Sequence, residues 1–199
     1  TSVALIDADP NHPIAAWNER GPTPEAMDVI VNDTDRTILD QIDRAAEEVP
    51  FVVVDLEGIG SRRVSYTISR ADLVVVPMQE QVPDEDMAAR IAEEIAVESQ
   101  RERRPIPWSI LFTRTRVVAK SRTATSISNP LRDNQDVHVF GNELNERDTF
   151  AAMWYYGTTI RGLDANKVNN VDKAVRNGRY FTMEVVERVS DLDKIGAAA

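Results

Sequence analysis

The sequence predicts an α/β fold in which helices flank a mostly parallel sheet. Four short runs are continuously apolar and rich in β-branched residues, as expected for strands that are covered on both faces. These runs are VALID (3–7), FVVVDL (51–56), DLVVVPM (72–78) and WSILFT (108–113). Helical patterns lie between them, and strands that alternate with helices form parallel sheets with right-handed crossovers.

The two clearest helical patterns follow in order along the chain. Residues 34–49 place their apolar side chains on one stripe, formed by Ile38, Leu39, Ile42, Ala45, Ala46 and Val49. Residues 83–103 begin with a proline and three acids and end in arginines, which complements the helix dipole. The predicted buried face of this second helix is Met87, Ile91 and Ile95.

The remaining elements carry weaker signals. Residues 145–156 form a helical pattern that stops at Gly157, a residue type that commonly ends helices. Two further helices fit residues 164–177 and 180–195. The runs MDVIV (27–31) and VHVF (137–140) are the weaker strand candidates.

Composition indicates a single globular domain that spans residues 1–199. The hydrophobic fraction is 42% and the charged fraction is 28%, as in soluble proteins. No apolar run approaches the roughly 18 residues of a membrane span, and no stretch resembles a signal peptide. The absence of cysteine excludes disulfides and thiolate metal sites, and it fits the cytoplasmic location that we expect.

Charge is unevenly distributed along the chain. The formal net charge is −10, which argues against a uniformly basic nucleic-acid binder. Residues 1–100 carry −14, whereas residues 101–132 hold 8 basic groups and 1 acidic group, or +7. Such a segment is either an anion-binding face on an otherwise acidic molecule or a set of solvated arginines, and the sequence leaves both alternatives open.

Acidic residues follow two of the predicted strands. VALIDADP delivers Asp7 and Asp9, and FVVVDLEG delivers Asp55 and Glu57. In open α/β sheets, ligands bind beyond the carboxyl ends of the strands, and a carboxylate there can hold a hydrated Mg²⁺ beside a nucleotide phosphate. The structural alternative is an acid that caps the next helix, through Asp9 or Asp55. Two strands that end in the same way favour the phosphate or metal site.

These segments carry a resemblance to a known family. VALIDADPNHPIAAW, FVVVDLEG, ADLVVVPMQEQVPDEDMA and NERDTFAAMWYYGTTI, in this order over about residues 3–162, resemble the ParA/MinD family of deviant Walker ATPases. The likeness is greatest to the partition-like ATPases of T-DNA and conjugal transfer. It implies a three-layer fold of the P-loop type, hydrolysis of ATP with Mg²⁺, and an ATP-dependent homodimer. It also implies non-specific DNA binding and a ParB-like or transfer-machinery partner protein.

The resemblance also implies roles for acids at the strand ends. Asp9 matches the family's aspartate that orients the attacking water, and is the implied catalytic residue. Asp55 matches the Walker B acid, which holds Mg²⁺ through water. Asp7 matches the neighbouring acid that supports the metal and the phosphate loop.

Further matches follow the later strands. Pro77 and Gln79 stand where the family has its P-x-Q, and Thr113 and Arg114 fall near the position of an Asn-Arg pair that lies by the adenine. Since the family binds DNA through basic residues on one face, the +7 segment supplies the candidate phosphate contacts. They are Arg114, Arg116, Lys120 and Arg122.

One part of the family pattern is missing from the sequence. A phosphate loop needs glycine-rich backbone and a lysine, yet no G-x-x-x-x-G-K-[ST] occurs and the first lysine is Lys120. EGIGSRR contains glycines but lacks the spacing, so it is interpreted as the loop after the Walker B strand. Two explanations stay open. Either a half-unit of about 35 residues precedes Thr1, which the acids at the strand end favour, or the protein is a non-hydrolysing adaptor that binds DNA or a partner protein. The chain by itself is expected to be inactive as an ATPase.

Overall fold

A computed structural model describes residues 2–22, 24–58 and 60–196 of the chain. The strands are β1 (Val3–Ala8), β2 (Met27–Val31), β3 (Phe51–Leu56), β4 (Val74–Met78), β5 (Trp108–Thr115) and β6 (Leu144–Asn145). The helices are α1 (Pro13–Asn18), α2 (Ile38–Glu48), α3 (Arg62–Arg70), α4 (Val82–Glu102), α5 (Arg122–Asp133), α6 (Asp148–Tyr156) and α7 (Val171–Gly196). They form two compact units: a first unit of residues 1–70 and 149–171, and a second unit of residues 71–148 and 172–199.

The first unit contains a parallel three-stranded sheet in the order β2-β1-β3. Its core forms between β1 and α2. The apolar residues of α2 recur with the period of a helix, so they share one face and are buried together with side chains of β1. The fully or nearly buried members are Ile6, Ala8, Ile38 and Ile42. The in-register pairing brings the carboxyl ends of all three strands to one edge, and the candidate acids therefore lie at that edge.

Helix α6 belongs to the first unit and is held there by its carbonyl groups. The indole of Trp17 donates to the carbonyl of Met153 at 3.1 Å, and the guanidinium of Arg20 donates to that of Trp154 at 3.0 Å. Gly157 then turns the chain with φ of 59°, and a Cβ placed on it would lie 2.4 Å from the Cβ of Arg20. Glycine is therefore required at this position both by conformation and by the close approach of the backbone.

The second unit contains a parallel sheet in the order β4-β5-β6. Its core is built from β4, β5 and the inner faces of α4 and α5, and comprises Val76, Met78, Ala88, Ile110, Phe112 and Ile127. Helix α7 docks through Glu184, whose carboxylate accepts hydrogen bonds from the backbone of Gly141 at 2.6 Å and of Asn142 at 2.8 Å. Asn177 adds two hydrogen bonds, to the backbone of Asn145 and Glu143.

The predicted α/β class with parallel strands is confirmed. Strands β2 and β3 have the predicted bounds, and α6 ends at Gly157 as expected. The predicted strand at 137–140 pairs with β5 only through an isolated parallel bridge between Val139 and Ile110, with two backbone hydrogen bonds, so it is not a regular strand; the short strand beside β5 is β6.

Two predictions about helices are also wrong. In place of the predicted pair at 164–177 and 180–195, one continuous helix, α7, begins at Val171 and passes through Gly178, and residues 164–170 form turns. Side chains on both sides of this glycine, Asn177 and Phe181, are anchored to the same unit, so packing outweighs the cost of a glycine in a helix, about 1 kcal/mol. In α4, Met87 is 41% exposed rather than buried, while Ile95 is buried as predicted. None of the described helices is long and apolar enough to span a membrane.

Candidate functional site

The strand register concentrates three carboxylates at one edge of the first sheet, which we call the acidic edge (Asp7, Asp9 and Asp55). Asp7 and Asp55 are direct partners on neighbouring parallel strands, and Asp9 follows two residues after Asp7. Burial raises the pKa of Asp55, and the negative charges of Asp7 and then Asp9 raise it further. The three acids therefore repel one another, and a cation at this edge would relieve the repulsion.

Asp7 is fully buried, and only one of its two oxygens is paired. Oδ2 accepts a hydrogen bond from the backbone N–H of Ala15 at 2.8 Å, whereas Oδ1 is buried without a hydrogen-bond partner. The nearby Nδ1 of His12 lies 4.0 Å from Oδ1, too far for a hydrogen bond, and it is itself buried and unpartnered. A buried acceptor without a donor is costly, so its presence favours a functional role.

The sequence left open that an acid at a strand end caps the helix that follows it, and one acid of the acidic edge does so. Asp7, rather than Asp9 or Asp55, caps a helix, because Ala15 is the third residue of α1. Asp9 instead closes a turn: its Oδ1 accepts from the backbone N–H of Asn11 at 2.7 Å and from the Asn11 amide at 3.0 Å.

His12 shapes the turn between β1 and α1. Its backbone lies in the left-handed region with φ of 45°, which is unusual for a residue other than glycine. The ring Nε2 lies 2.9 Å from Oδ1 of Asp33, which directs Nδ1 toward Asp7. Strained backbone of this kind clusters at functional sites.

Two residues that the sequence analysis missed hold the acidic edge in place. Arg63, on α3, is 9% exposed, and its Nη1 donates to the carbonyls of Ala8 at 2.7 Å and of Asn32 at 3.2 Å. Asn32 is fully buried directly after β2, and its backbone N–H donates to the carbonyl of Asp7 at 2.9 Å. The only signal for Arg63 was its place after the glycines of EGIGSRR, and nothing in the sequence pointed to Asn32.

The acidic edge fits a hydrated cation better than a directly ligated one. In the part of the chain that the structure describes, no three His, Asp or Glu side chains are arranged as a metal-binding group. Mg²⁺ usually keeps several waters and binds through one or two carboxylates together with phosphates. The unpaired oxygen of Asp7 and the carboxylate of Asp55 are the groups of the edge that suit such outer-sphere contact.

The other predicted nucleotide contacts lie in the second unit, at the ends of β4 and β5. Pro77 is an exposed residue of β4, and the backbone N–H of Gln79 donates to Asp84 at 2.7 Å. Thr113 donates its hydroxyl to the carbonyl of Met78 at 3.3 Å, so this hydroxyl ties β5 to β4. Arg114 follows with an exposed side chain and a left-handed φ of 51°.

The predicted DNA contacts divide into two groups. Arg114, Arg116 and Arg122 are exposed. Lys120 is not an independent cation, because its ammonium donates to Glu80 at 2.6 Å and to Glu143 at 2.5 Å.

An internal ion cluster surrounds this lysine. Arg132 donates to Glu143 at 2.8 Å, and its guanidinium lies 5.1 Å from the ring centroid of Phe112. Burial alone would lower the pKa of Lys120, but the hydrogen bonds to Glu143 and then Glu80 outweigh it and raise the pKa. The charge of Lys120 is therefore balanced within the second unit, whereas Arg114, Arg116 and Arg122 are exposed and carry no such internal pair of acids in the described part of the chain.

Comparisons with known proteins agree with this fold. The apo structure of McdA from Cyanthece superposes with a TM-score of 0.66 at 12% identity, over 88% of this chain and 86% of that one. A plasmid partition protein of Borrelia burgdorferi B31, solved bound to AMPPNP, gives 0.60 at 12% identity, over 90% and 86%. A ParA family ATPase from Chlorobium tepidum TLS gives 0.52 at 13% identity, over 79% and 76%. The fold is that of the P-loop partition ATPases.

Sequence comparison defines the family. Protein ParA of Rhizobium radiobacter is 30% identical over 189 residues, which are 95% of this chain and 84% of the relative. The chain thus belongs to the ParA-like partition protein family. The profile of the VirC1 protein family matches residues 1–196, and the chain belongs to that family.

Proposed function

We propose that the acidic edge is the metal-facing side of an ATP site and that the protein hydrolyses ATP with Mg²⁺ to drive partition, positioning or transfer of DNA. The observation that carries the proposal is the convergence of Asp7, Asp9 and Asp55, with a buried and unpaired oxygen on Asp7. Similarity to a partition protein solved with AMPPNP supports a nucleotide as the ligand.

Each acid has a separate role in the proposed site. Asp55 and Asp7 hold the water shell of Mg²⁺, which when bound would neutralise charge on the phosphates. Asp9 is less buried than Asp7 and accepts a hydrogen bond from the attacking water, which it thereby orients. Arg63 and Asn32 hold the ends of β1 and β2 together and so help to position Asp7 and Asp9.

The phosphates of a nucleotide need hydrogen-bond donors, which the backbone N–H groups and the lysine of a phosphate loop usually supply. No glycine-lysine phosphate loop occurs in the sequence, and three carboxylates without a cation repel phosphate. The proposed site therefore requires phosphate donors that residues 1–199 do not supply. Residues 1–199 alone should bind ATP poorly, and micromolar ATP binding by them would refute this part of the proposal.

Turnover by the native protein tests the catalytic assignment. Asp9→Ala should abolish ATP hydrolysis and leave ATP affinity largely unchanged, because hydrolysis depends on positioning and charge. Asp28→Ala is the matched control, since Asp28 is an exposed acid on the neighbouring strand β2. Normal hydrolysis by the Asp9 variant would show that this residue has no catalytic role.

For DNA, we propose that Arg114, Arg116 and Arg122 contact phosphates in an ATP-dependent homodimer, whose partner is a ParB-like or transfer-machinery protein. Charge reversal at Arg116 and Arg122 should weaken DNA binding strongly, and the log–log salt slope of the remaining binding should be shallower by roughly 0.9 for each phosphate that is no longer neutralised. Lys120→Met should change DNA affinity little, because this charge is balanced internally. DNA affinity that survives the double reversal would show that the arginines are only solvated.

A non-hydrolysing adaptor is the second candidate. It is favoured by the missing phosphate loop and by the structural uses of two acids, since Asp7 caps α1 and Asp9 closes a turn. The intact mass of the native protein discriminates between the candidates. A glycine-lysine loop before Thr1 supports the ATPase, whereas a native protein without one supports the adaptor.

A further inference from the structure

Helix α7 presents two opposite faces along its length. The inner face recurs at spacings of three and four and is anchored within the second unit, through Ala174, Asn177, Phe181 and Glu184. On the opposite side of the helix, exposed residues follow one another at alternating spacings of four and three, as they do along one seam of a coiled coil. This outer stripe consists of Asp172, Arg176, Arg179, Met183, Val186, Ser190 and Asp193.

The centre of the outer stripe is apolar. Met183 is 55% exposed and Val186 is 43% exposed, and Tyr180 flanks them at 53%. Three large apolar side chains grouped on one helix face are a typical seed of a protein interface.

The charges on either side of this centre have opposite signs. Exposed ionisable groups before it carry a net charge of +2, from Asp172, Lys173, Arg176 and Arg179. Those after it carry −2, from Glu187, Asp191, Asp193 and Lys194. The pairs Arg176–Asp172 at 3.4 Å and Lys194–Asp191 at 2.8 Å lie within single halves and are exposed, so they cost little to rearrange.

From this pattern we infer that α7 pairs with α7 of a second copy in antiparallel orientation, without nucleotide. A two-fold axis between Met183 and Val186 brings Met183 of one copy opposite Val186 of the partner subunit, and the reverse. The same axis places Arg176 opposite Asp193 of the partner subunit, since each lies 8.5 residues, or about 13 Å, from it at 1.5 Å per residue. Every contact then occurs twice, as a two-fold interface requires.

A second copy of this chain is the occupant that the charge pattern selects. An antiparallel copy sets each positive half against a negative half, whereas a parallel copy sets like charges together. The apolar centre is small, so the dimer is expected to be weak, in the high micromolar range. Helix α7 contains none of the residues assigned to the proposed nucleotide site, so the inference stands independently of ATP binding.

Charge exchange tests the inference by sedimentation of the chain without nucleotide over a concentration series. Arg176→Asp and Asp193→Arg should each weaken self-association about tenfold, because each places two like-charge contacts in the dimer. An equimolar mixture of the two variants should associate as well as the unaltered chain, and so should the double variant, because the opposite charges then face each other again. Arg90→Asp, on an exposed position of α4, is the control and should have no effect.

Cross-linking tests the register. The chain has no cysteine, so an introduced one is unique. A mixture of Met183→Cys and Val186→Cys should form disulfide-linked dimers in higher yield than either variant alone. Failure of the unaltered chain to associate, self-association unchanged in Arg176→Asp, or faster cross-linking of Met183→Cys alone, as in a parallel pair, would each overturn the inference.

Discussion

The unpaired oxygen of Asp7 leads to a prediction that distinguishes a functional acid from a structural one. An acid with a structural role stabilises the folded chain at its position. An acid that is retained to bind a ligand instead lowers the free energy of unfolding of the ligand-free chain. Replacing Asp7 by Asn preserves the acceptor that caps α1 at 2.8 Å and removes a buried negative charge. The introduced amide N–H₂ can also donate to Nδ1 of His12, which is now 4.0 Å from Oδ1 and has no partner.

The magnitude follows from these contacts. An unsatisfied buried acceptor costs about 1–3 kcal/mol, so Asp7→Asn should raise the free energy of unfolding by about that amount. With a urea dependence of about 2 kcal/mol per M, the unfolding midpoint should rise by about 0.5–1.5 M. Asp7→Ala removes the same charge but also the cap, so it should be less stable than the Asn variant by about 1 kcal/mol.

Urea unfolding followed by circular dichroism measures both variants against the unaltered chain. A midpoint for Asp7→Asn above that of the unaltered chain supports an acid kept for its ligand. A midpoint for Asp7→Asn below that of the unaltered chain would refute the reasoning, because it would show that the charge of Asp7 itself stabilises the fold.

Three further predictions concern stability. Burial and the neighbouring acids raise the pKa of Asp55, so the stability that this group contributes is present below its ordinary pKa of 3.8 and is lost as pH rises through the raised value. Asp55→Asn should therefore stabilise the chain at neutral pH and have little effect below pH 3.8. Urea midpoints that show no such pH dependence would contradict this. Gly157→Ala should destabilise the chain by at least about 2 kcal/mol, because Gly157 has a positive φ and its added Cβ would lie 2.4 Å from the Cβ of Arg20. Gly58→Ala is the control and should not destabilise the chain, because a Cβ there meets nothing within 4 Å. Equal shifts in the melting temperatures of the two variants would contradict the close approach of Arg20 to Gly157. Glu184→Gln replaces one oxygen of a carboxylate that accepts three hydrogen bonds with an amide N–H₂, which cannot accept. This change should lower the free energy of unfolding in urea by about 2 kcal/mol. An unchanged midpoint would show that α7 is held by other contacts.

The sequence predicted the fold and the position of the acidic edge for simple physical reasons. Buried parallel strands are continuously apolar, and two of them end in an acid, so parallel pairing places Asp7 beside Asp55. The same reasoning did not show which acid caps α1. That depends on the left-handed backbone of His12, which turns the helix so that Ala15 meets Asp7 rather than Asp9.

Other features of the site depend on contacts between distant segments. Arg63 lies more than 50 residues after Ala8, and no local pattern links a helix arginine to the carbonyl of a strand end. The pairing of Lys120 with Glu80 and Glu143 likewise joins three separate segments, so the sequence alone did not show that this positive charge is balanced by two acids.

In the proposed function, the acidic edge faces the metal of a bound nucleotide. The most direct measurement is paramagnetic broadening of the side-chain carboxyl ¹³C signals of the native protein when Mn²⁺ and ATP are added together. We expect strong broadening at Asp7, Asp9 and Asp55 and little at Asp28, which lies on β2 away from the carboxyl end. Equal broadening at Asp28, or none at the three acids while ATP is bound, would contradict it.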